Sequence, residues 1–237
     1  MKIKYVTMTG ADDNTSVEGM VELSGRFPFA EWGILFSQAR AGVARYPSLD
    51  WVDNDLFFAM NLSAHLCGKW VDDVMKIGRI SFLNDDLMDE IFGRVQLNLN
   101  KDRLRKAFAD DDRLIWDAVS ESKPIMIGGN YTDDIFSLFD VRDFFLNEGN
   151  PLFDASGGRG LNQDTWPVPL GCNDTTLLCG YAGGLGPDNL QEKLEIISEI
   201  VGDVEIWIDM ETKLRTKDEF DLKKCERVLE IAEPWTK

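Results

Sequence analysis

Pro151-Leu-Phe-Asp-Ala-Ser-Gly-Gly-Arg-Gly160, Leu177-Leu-Cys-Gly-Tyr-Ala-Gly-Gly-Leu-Gly-Pro187 and Val204-Glu-Ile-Trp-Ile-Asp-Met-Glu211 are short apolar runs, each ending in a polar or glycine-rich cluster. Helix-like segments follow the second and third. A parallel α/β enzyme is laid out this way, with its chemistry at the carboxyl ends of strands, where helix N-termini can also hold anions.

Working outward, similar runs recur upstream. Ile3 to Met8, Trp32 to Phe36, Leu62 to Cys67, Val95 to Leu99 and Ile125 to Ile127 read as strands, which with the three above makes eight. Val17 to Leu23 is amphipathic. Leu190, Leu194, Ile197 and Val201 recur at helical spacing, with Pro187 suited to the first turn and Gly202 to the end. Leu222, Cys225, Val228, Leu229 and Ala232 form the apolar stripe of a last helix, which makes Cys225 a small core residue. Leu161 to Thr176 carries prolines and glycines around Trp166 and reads as a loop. Eight strand–helix units in one domain spanning 1–237 predict an α/β fold of the (β/α)8 TIM-barrel type, irregular after its sixth strand. An open doubly wound sheet would show a glycine-rich turn after strand one, and Thr9-Gly10-Ala11-Asp12 is not that fingerprint.

An apolar fraction of 44% and seven tryptophans among 237 residues describe a globular chain. The net charge of −17 excludes a phosphate-backbone binder, so no nucleic-acid partner is expected. A small anion can still be held by a local nest of backbone N–H groups. No run approaches the roughly 18 apolar residues of a membrane helix, and no basic start precedes an apolar core at the N-terminus. The expectation is therefore a cytoplasmic protein with no membrane partner. Four separated cysteines and one histidine make a zinc site improbable chemistry.

Five constellations carry possible chemistry. The Gly183-Gly184 pair lets backbone approach a ligand closely, or simply forms a tight turn. Asp154, one residue past an apolar run, stands where a barrel strand opens into its pocket. There it serves as a general acid or base, or caps a turn. Asp209 and Glu211 share one face of a strand. They could hold a metal together with His65, divide acid and base roles, or pair with Lys213 or Arg215. Gln96 and Asn98 also share a face and need partners, since an unpaired buried polar group costs about 1–3 kcal/mol. His65, without a second histidine, fits a hydrogen-bonded structural role or an acid–base one. Trp32 and Trp207 are packing residues.

These residues resemble phosphoribosylanthranilate isomerase, a (β/α)8 barrel. Phe153-Asp154 with Gly157-Gly158-Arg159-Gly160 is similar to that family's catalytic Asp and the Gly-Gly-Thr-Gly loop after it. Ala182-Gly183-Gly184-Leu185-Gly186-Pro187-Asp188-Asn189 resembles its Ala-Gly-Gly-Leu-Asn-Pro-Glu-Asn phosphate loop. Val95-Gln96-Leu97-Asn98 is similar to its Val-Gln-Leu-His strand, and Gly33-Ile-Leu-Phe36 with Arg40 and Arg45-Tyr46 to its second strand and arginine-bearing loop. Ile208-Asp209 matches the Val-Asp that opens its eighth-strand segment.

The resemblance implies an Amadori-type aldose–ketose isomerisation of a small phosphorylated substrate, with no cofactor and no metal. Asp154 would be the acid. Gly158, Gly160, Gly183 and Gly184 would hold the phosphate. Arg40, Arg45, Gln96, Asn98, Arg159 and Asp209 would contact the rest of the ligand. The family's general-base cysteine, in Lys-Ile-Cys-Gly, is replaced here by Thr9 in Thr7-Met8-Thr9-Gly10. A hydroxyl needs activation to act as a base. The Ser-Ser-Gly phosphate cradle of the eighth strand is replaced by Met210-Glu211-Thr212, and a glutamate repels phosphate. The alternatives are a ligand-binding barrel that has lost its base, and a metal-dependent barrel enzyme.

Overall fold

The computed structural model describes residues 1–77, 90–99, 125–129, 149–154, 161–172 and 175–237. Eight parallel strands close into a barrel, each beside its sequence neighbours. They are β1 (Lys2–Thr9), β2 (Ala30–Phe36), β3 (Asn61–Leu66), β4 (Arg94–Asn98), β5 (Ile125–Gly129), β6 (Gly149–Phe153), β7 (Cys179–Tyr181) and β8 (Glu205–Met210). The seam between β1 and β8 pairs Val6 with Ile208, Thr7 with Asp209 and Met8 with Met210. The expected barrel is the observed one.

Alternation along each strand sorts side chains between two cores. On β2, Ala30, Trp32, Ile34 and Phe36 face the helices, within one large apolar cluster. Trp32 packs edge-on against Phe220 and donates from Nε1 to Ser24 Oγ at 2.9 Å. A smaller cluster of Leu152, Ala182 and Trp207, with Tyr5 and Leu178 against it, lies inside the barrel. Gly180 makes room for it, because a Cβ there would fall 2.3 Å from the Trp207 ring and 2.7 Å from Leu152 Cδ1.

The helices follow the sequence signals closely. Helix α1 (Val17–Arg26) starts at Ser16, whose hydroxyl accepts from the Gly19 N–H, and buries Val17, Met20 and Leu23. Helix α2 is Lys69–Ile77. Helix α3 (Leu190–Val201) ends at Gly202 with φ 66°, the left-handed stop glycine permits. Helix α4 (Leu222–Ala232) is capped by Asp221 and buries Cys225, Val228, Leu229 and Ala232.

Two boundaries differ from expectation. Pro187 precedes α3 rather than occupying its first turn. The Asn189 amide accepts from the Gly186 N–H and donates to the Gly184 carbonyl, each at 2.9 Å, which closes a turn before the helix can start. The run expected from Leu177 becomes strand only at Cys179, because the chain before it pairs Gly171–Cys172 with Thr175–Thr176 in a small hairpin. Of the loop expected over Leu161 to Thr176, residues 161–170 are irregular and strapped across β7, while its end forms that hairpin. Trp166 Nε1 donates to the Ala182 carbonyl at 2.9 Å, and Lys193 Nζ meets Asp164 at 3.0 Å. Among the described residues no helix is long and apolar enough to cross a membrane.

Candidate active site

The carboxyl ends of the strands bring several of the sequence candidates to one rim. The Ala182 N–H donates to the Phe153 carbonyl at 3.0 Å, so Asp154 and Gly183 stand side by side after neighbouring strands. On β1, Thr9 is 2% exposed and its hydroxyl donates to Asp209 Oδ1 at 2.7 Å. Asp209 is part-buried at the mouth, and its pKa is pushed up to about 7. Burial is the main cause. The Thr9 hydrogen bond works against it, while the charges of Glu211, Asp154 and Glu31 add to it. Burial likewise raises Glu211, again with a contribution from Asp154. Asp154, Asp209 and Glu211 therefore feel one another across the mouth.

The pairing expected for Glu211 is corrected. Its partner is Arg45, at 2.8 Å, and neither Lys213 nor Arg215. Arg215 is drawn inward instead: it binds Asp12 at 3.0 Å, the Gly10 carbonyl at 2.6 Å and the Asp218 carbonyl. The reason lies in a hairpin of Arg215–Thr216 with Glu219–Phe220, which turns the Arg215 side chain back under the first loop. Arg45 is held at φ 76°, a left-handed conformation unusual for a non-glycine residue. Its N–H donates to Asp12 Oδ2 and its guanidinium also reaches Asp218. Arg40 is exposed, stacked 5.3 Å from the Tyr46 ring and bonded to its hydroxyl. Of the two arginines in this loop, Arg45 is the one tied to the carboxylates of the rim.

Beneath the rim the barrel is polar. Gln96 Nε2 donates to Asn98 Oδ1 at 2.8 Å, and Asn98 Nδ2 donates to Cys67 Sγ at 3.2 Å. The shared face expected for Gln96 and Asn98 is thus real, and they are each other's partners. His65 is buried, its Nε2 is 3.0 Å from Ser63 Oγ, and burial lowers its pKa to about 3. It is the structural, neutral histidine of the two readings. Among the described residues no three His, Cys, Asp or Glu side chains are grouped as metal ligands, so the constellation of His65 with Asp209 and Glu211 does not form.

One element of the interior was missed from sequence. Glu31 and Arg94 form a buried ion pair, with Thr7 Oγ1 donating to Glu31 at 2.7 Å and the guanidinium lying over Tyr5 and Trp207. Burial works to raise the Glu31 carboxyl, but Arg94 and Thr7 outweigh it and hold it below its usual range. The signal was present: Glu31 interrupts an apolar strand, and an inward carboxylate demands a buried cation.

The glycine pair has positive φ at both residues, 109° and 67°. The close approach it permits is used by the chain itself. A Cβ on Gly183 would meet the Gln163 side chain at 2.5 Å, and one on Gly184 the Asn162 backbone at 2.7 Å. Gly158, Arg159 and Gly160 lie outside the described residues.

No family model matches the chain, and no curated protein matches it by sequence. Solved structures do match. The chain aligns with N-(5'-phosphoribosyl)anthranilate isomerase from Pyrococcus furiosus over 97% of its own length and 98% of that chain, with TM-score 0.53 and 13% identity. It aligns with TrpF from Jonesia denitrificans over 98% of both chains, with TM-score 0.56 and 14% identity. At these identities the likeness is one of fold, a divergent barrel of the same type.

Proposed function

We propose that this barrel is an acid–base isomerase, converting a small phosphorylated aminoaldose to the corresponding aminoketose at its carboxyl-end mouth. The observation that carries this reading is the Asp209–Thr9 pair, with its carboxyl pushed up to about 7 beside Asp154. A general base works best when its pKa lies near the working pH. Asp209 fills the place left by the missing thiol, and Thr9 is its positioning residue rather than a base itself.

In the proposed sequence Asp154 gives a proton to the ring oxygen as the C1–O bond breaks, and the amine nitrogen's lone pair forms a C1 iminium. Asp209 then takes the proton from C2; the electrons of that C–H bond form the C1–C2 double bond, and the C1–N π pair returns to nitrogen. Tautomerisation moves the C2 hydroxyl proton to C1 and leaves the ketone, so the product is an isomer and no electron acceptor is needed. The phosphate is assigned to the N–H groups of Gly183 and Gly184, and by the resemblance to Gly158 and Gly160, with Arg159 kept for the rest of the ligand. Gln163 is the side chain that gives way to it.

Turnover of N-(5'-phosphoribosyl)anthranilate and of a panel of phosphorylated aminoaldoses tests the reading, with Asp154→Asn and Asp209→Asn beside the unaltered protein. Loss of at least two orders of magnitude is expected in each variant, in line with the usual contribution of general acid–base groups, about 10²–10⁴-fold. Conversion of no member of the panel, or full activity in either variant, sinks it.

A further inference from the structure

Inside the barrel, Arg94 Nη1, Gln96 Oε1 and Trp207 Nε1 are buried side-chain atoms without a hydrogen-bond partner. The rest of each side chain is committed. Arg94 uses Nε and Nη2 on Glu31, and Gln96 uses Nε2 on Asn98. What remains is two donors and one acceptor, on residues only 6, 3 and 0% exposed. The Arg94 guanidinium lies 4.8 Å from the Trp207 ring centroid. Arg94 and Gln96 are successive inward positions on β4. A buried polar atom left unpaired bears its full desolvation cost, and native interiors rarely leave such atoms without a partner.

Charge decides what can satisfy them. Glu31 already balances Arg94, so an anion would stand uncompensated in the interior. A cation would face the guanidinium and two N–H groups. A neutral group that accepts twice and donates once fits all three atoms, and that group is a hydroxyl.

We propose that Arg94, Gln96 and Trp207 form a hydroxyl socket beneath the rim, where an oxygen accepts from Arg94 Nη1 and Trp207 Nε1 and donates to Gln96 Oε1. Trp207 lies two residues before Asp209 on one strand face, and Gln96 two before Asn98 on another. Through Trp207 the socket reaches the layer under Asp209. In the free protein a buried water occupies it. In the complex a hydroxyl at the inner end of the sugar-like ligand displaces that water; this second half rests on the function proposed above.

Crystals of the full chain, grown alone and soaked in D-ribose, test both halves. An oxygen within about 3.2 Å of at least two of the three atoms is expected in the free crystal. Its replacement by a ribose oxygen assigns the socket to ligand. The same isolated water in both crystals overturns the ligand half, and empty density in both overturns the socket. A double-mutant cycle of Trp207→Phe and Gln96→Leu in urea unfolding gives the energetic counterpart. No hydrogen bond joins the two side chains, so a shared oxygen should couple them by about fivefold or more in the unfolding equilibrium. Additive effects overturn the bridge. Neither readout uses turnover, so a protein inactive on aminoaldoses would end the isomerase reading without touching the socket itself.

Discussion

Replacing Asp209 with Asn should make the fold more stable above neutral pH while removing the proposed base. The Asp209 carboxyl is raised from 3.8 to about 7 in the folded protein. It therefore binds its proton more tightly folded than unfolded. That difference favours the folded state below 3.8 and is lost as pH climbs towards 7, where the charge must be carried in a part-buried site. The rise from 3.8 to about 7 corresponds to roughly 4 kcal/mol at most. Access to solvent at the mouth screens part of this, so about 2 kcal/mol is the expected gain for Asp209→Asn at pH 8. The Asn variant keeps an oxygen for the Thr9 hydroxyl, so that bond is not lost with the charge. Urea unfolding of both proteins at pH 4, 6 and 8 measures the difference. It should be near zero at pH 4 and grow with pH. A variant no more stable than its parent at pH 8, or a gap that ignores pH, would refute the claim that Asp209 is strained by its own charge.

Four further outcomes follow from named contacts. A methyl on Gly33 would fall 2.2 Å from Thr9 Oγ1 and 2.9 Å from the His65 ring. Gly33→Ala should therefore cost about 1–3 kcal/mol in urea unfolding, the usual penalty of overpacking, and depress turnover in the proposed isomerisation by pushing Thr9 off Asp209. Arg45→Ala and Arg45→Gly both remove the ion pairs to Glu211 and Asp218, but only glycine relieves the left-handed backbone, so the glycine variant should be the more stable by about 1 kcal/mol. Glu31→Leu leaves Arg94 as an unpaired buried charge and should cost about 3–5 kcal/mol, most of it recovered by adding Arg94→Met. Gln163→Ala uncovers Gly183 and should tighten binding of D-ribose 5-phosphate, read through the fluorescence of Trp166, which is bonded to the same turn. Unchanged affinity would mean that Gln163 does not compete with phosphate.

What could be read from the chain was whatever depends on local periodicity. Apolar runs and helical stripes located every barrel strand to within a few residues, and α3 and α4, with Gly202 as the stop of α3. Strand alternation put Gln96 beside Asn98 and Asp209 beside Glu211 on common faces. Partner choice was a different matter. Glu211 lies four residues from Arg215 in sequence, yet it pairs with Arg45, some 166 residues away, because a two-residue hairpin turns Arg215 towards Asp12. No pattern in 211–220 announces that reversal: its turn residues, Lys217 and Asp218, take positive φ without a glycine. The glycine pair shows a similar limit. Its composition shows that something comes close to the backbone, but only the fold shows that residues 161–163 do so.

The interior of this barrel ties these observations together. Barrels of this type usually fill their centre with branched apolar side chains. Here, among the described residues, the apolar cluster inside is a small one around Trp207, and Glu31, Arg94, Thr7, His65 and Gln96 are buried as well. Charges fixed in such an interior act on the groups above them, because they are only partly screened. Glu31 helps to raise Asp209, and the same carboxylate is fixed by Arg94 and Thr7. The acid–base character of the rim is therefore set in part from below, by an ion pair that makes no contact with the mouth. Neutralising that pair as Glu31→Leu with Arg94→Met removes one of the charges that raise Asp209, so the alkaline shift of Asp209 should shrink even though nothing at the rim is altered. A pH–stability difference between this double variant and its Asp209→Asn derivative that is smaller than the parent's would carry that signature. An equal difference would confine the control of Asp209 to its immediate neighbours, Thr9, Asp154 and Glu211.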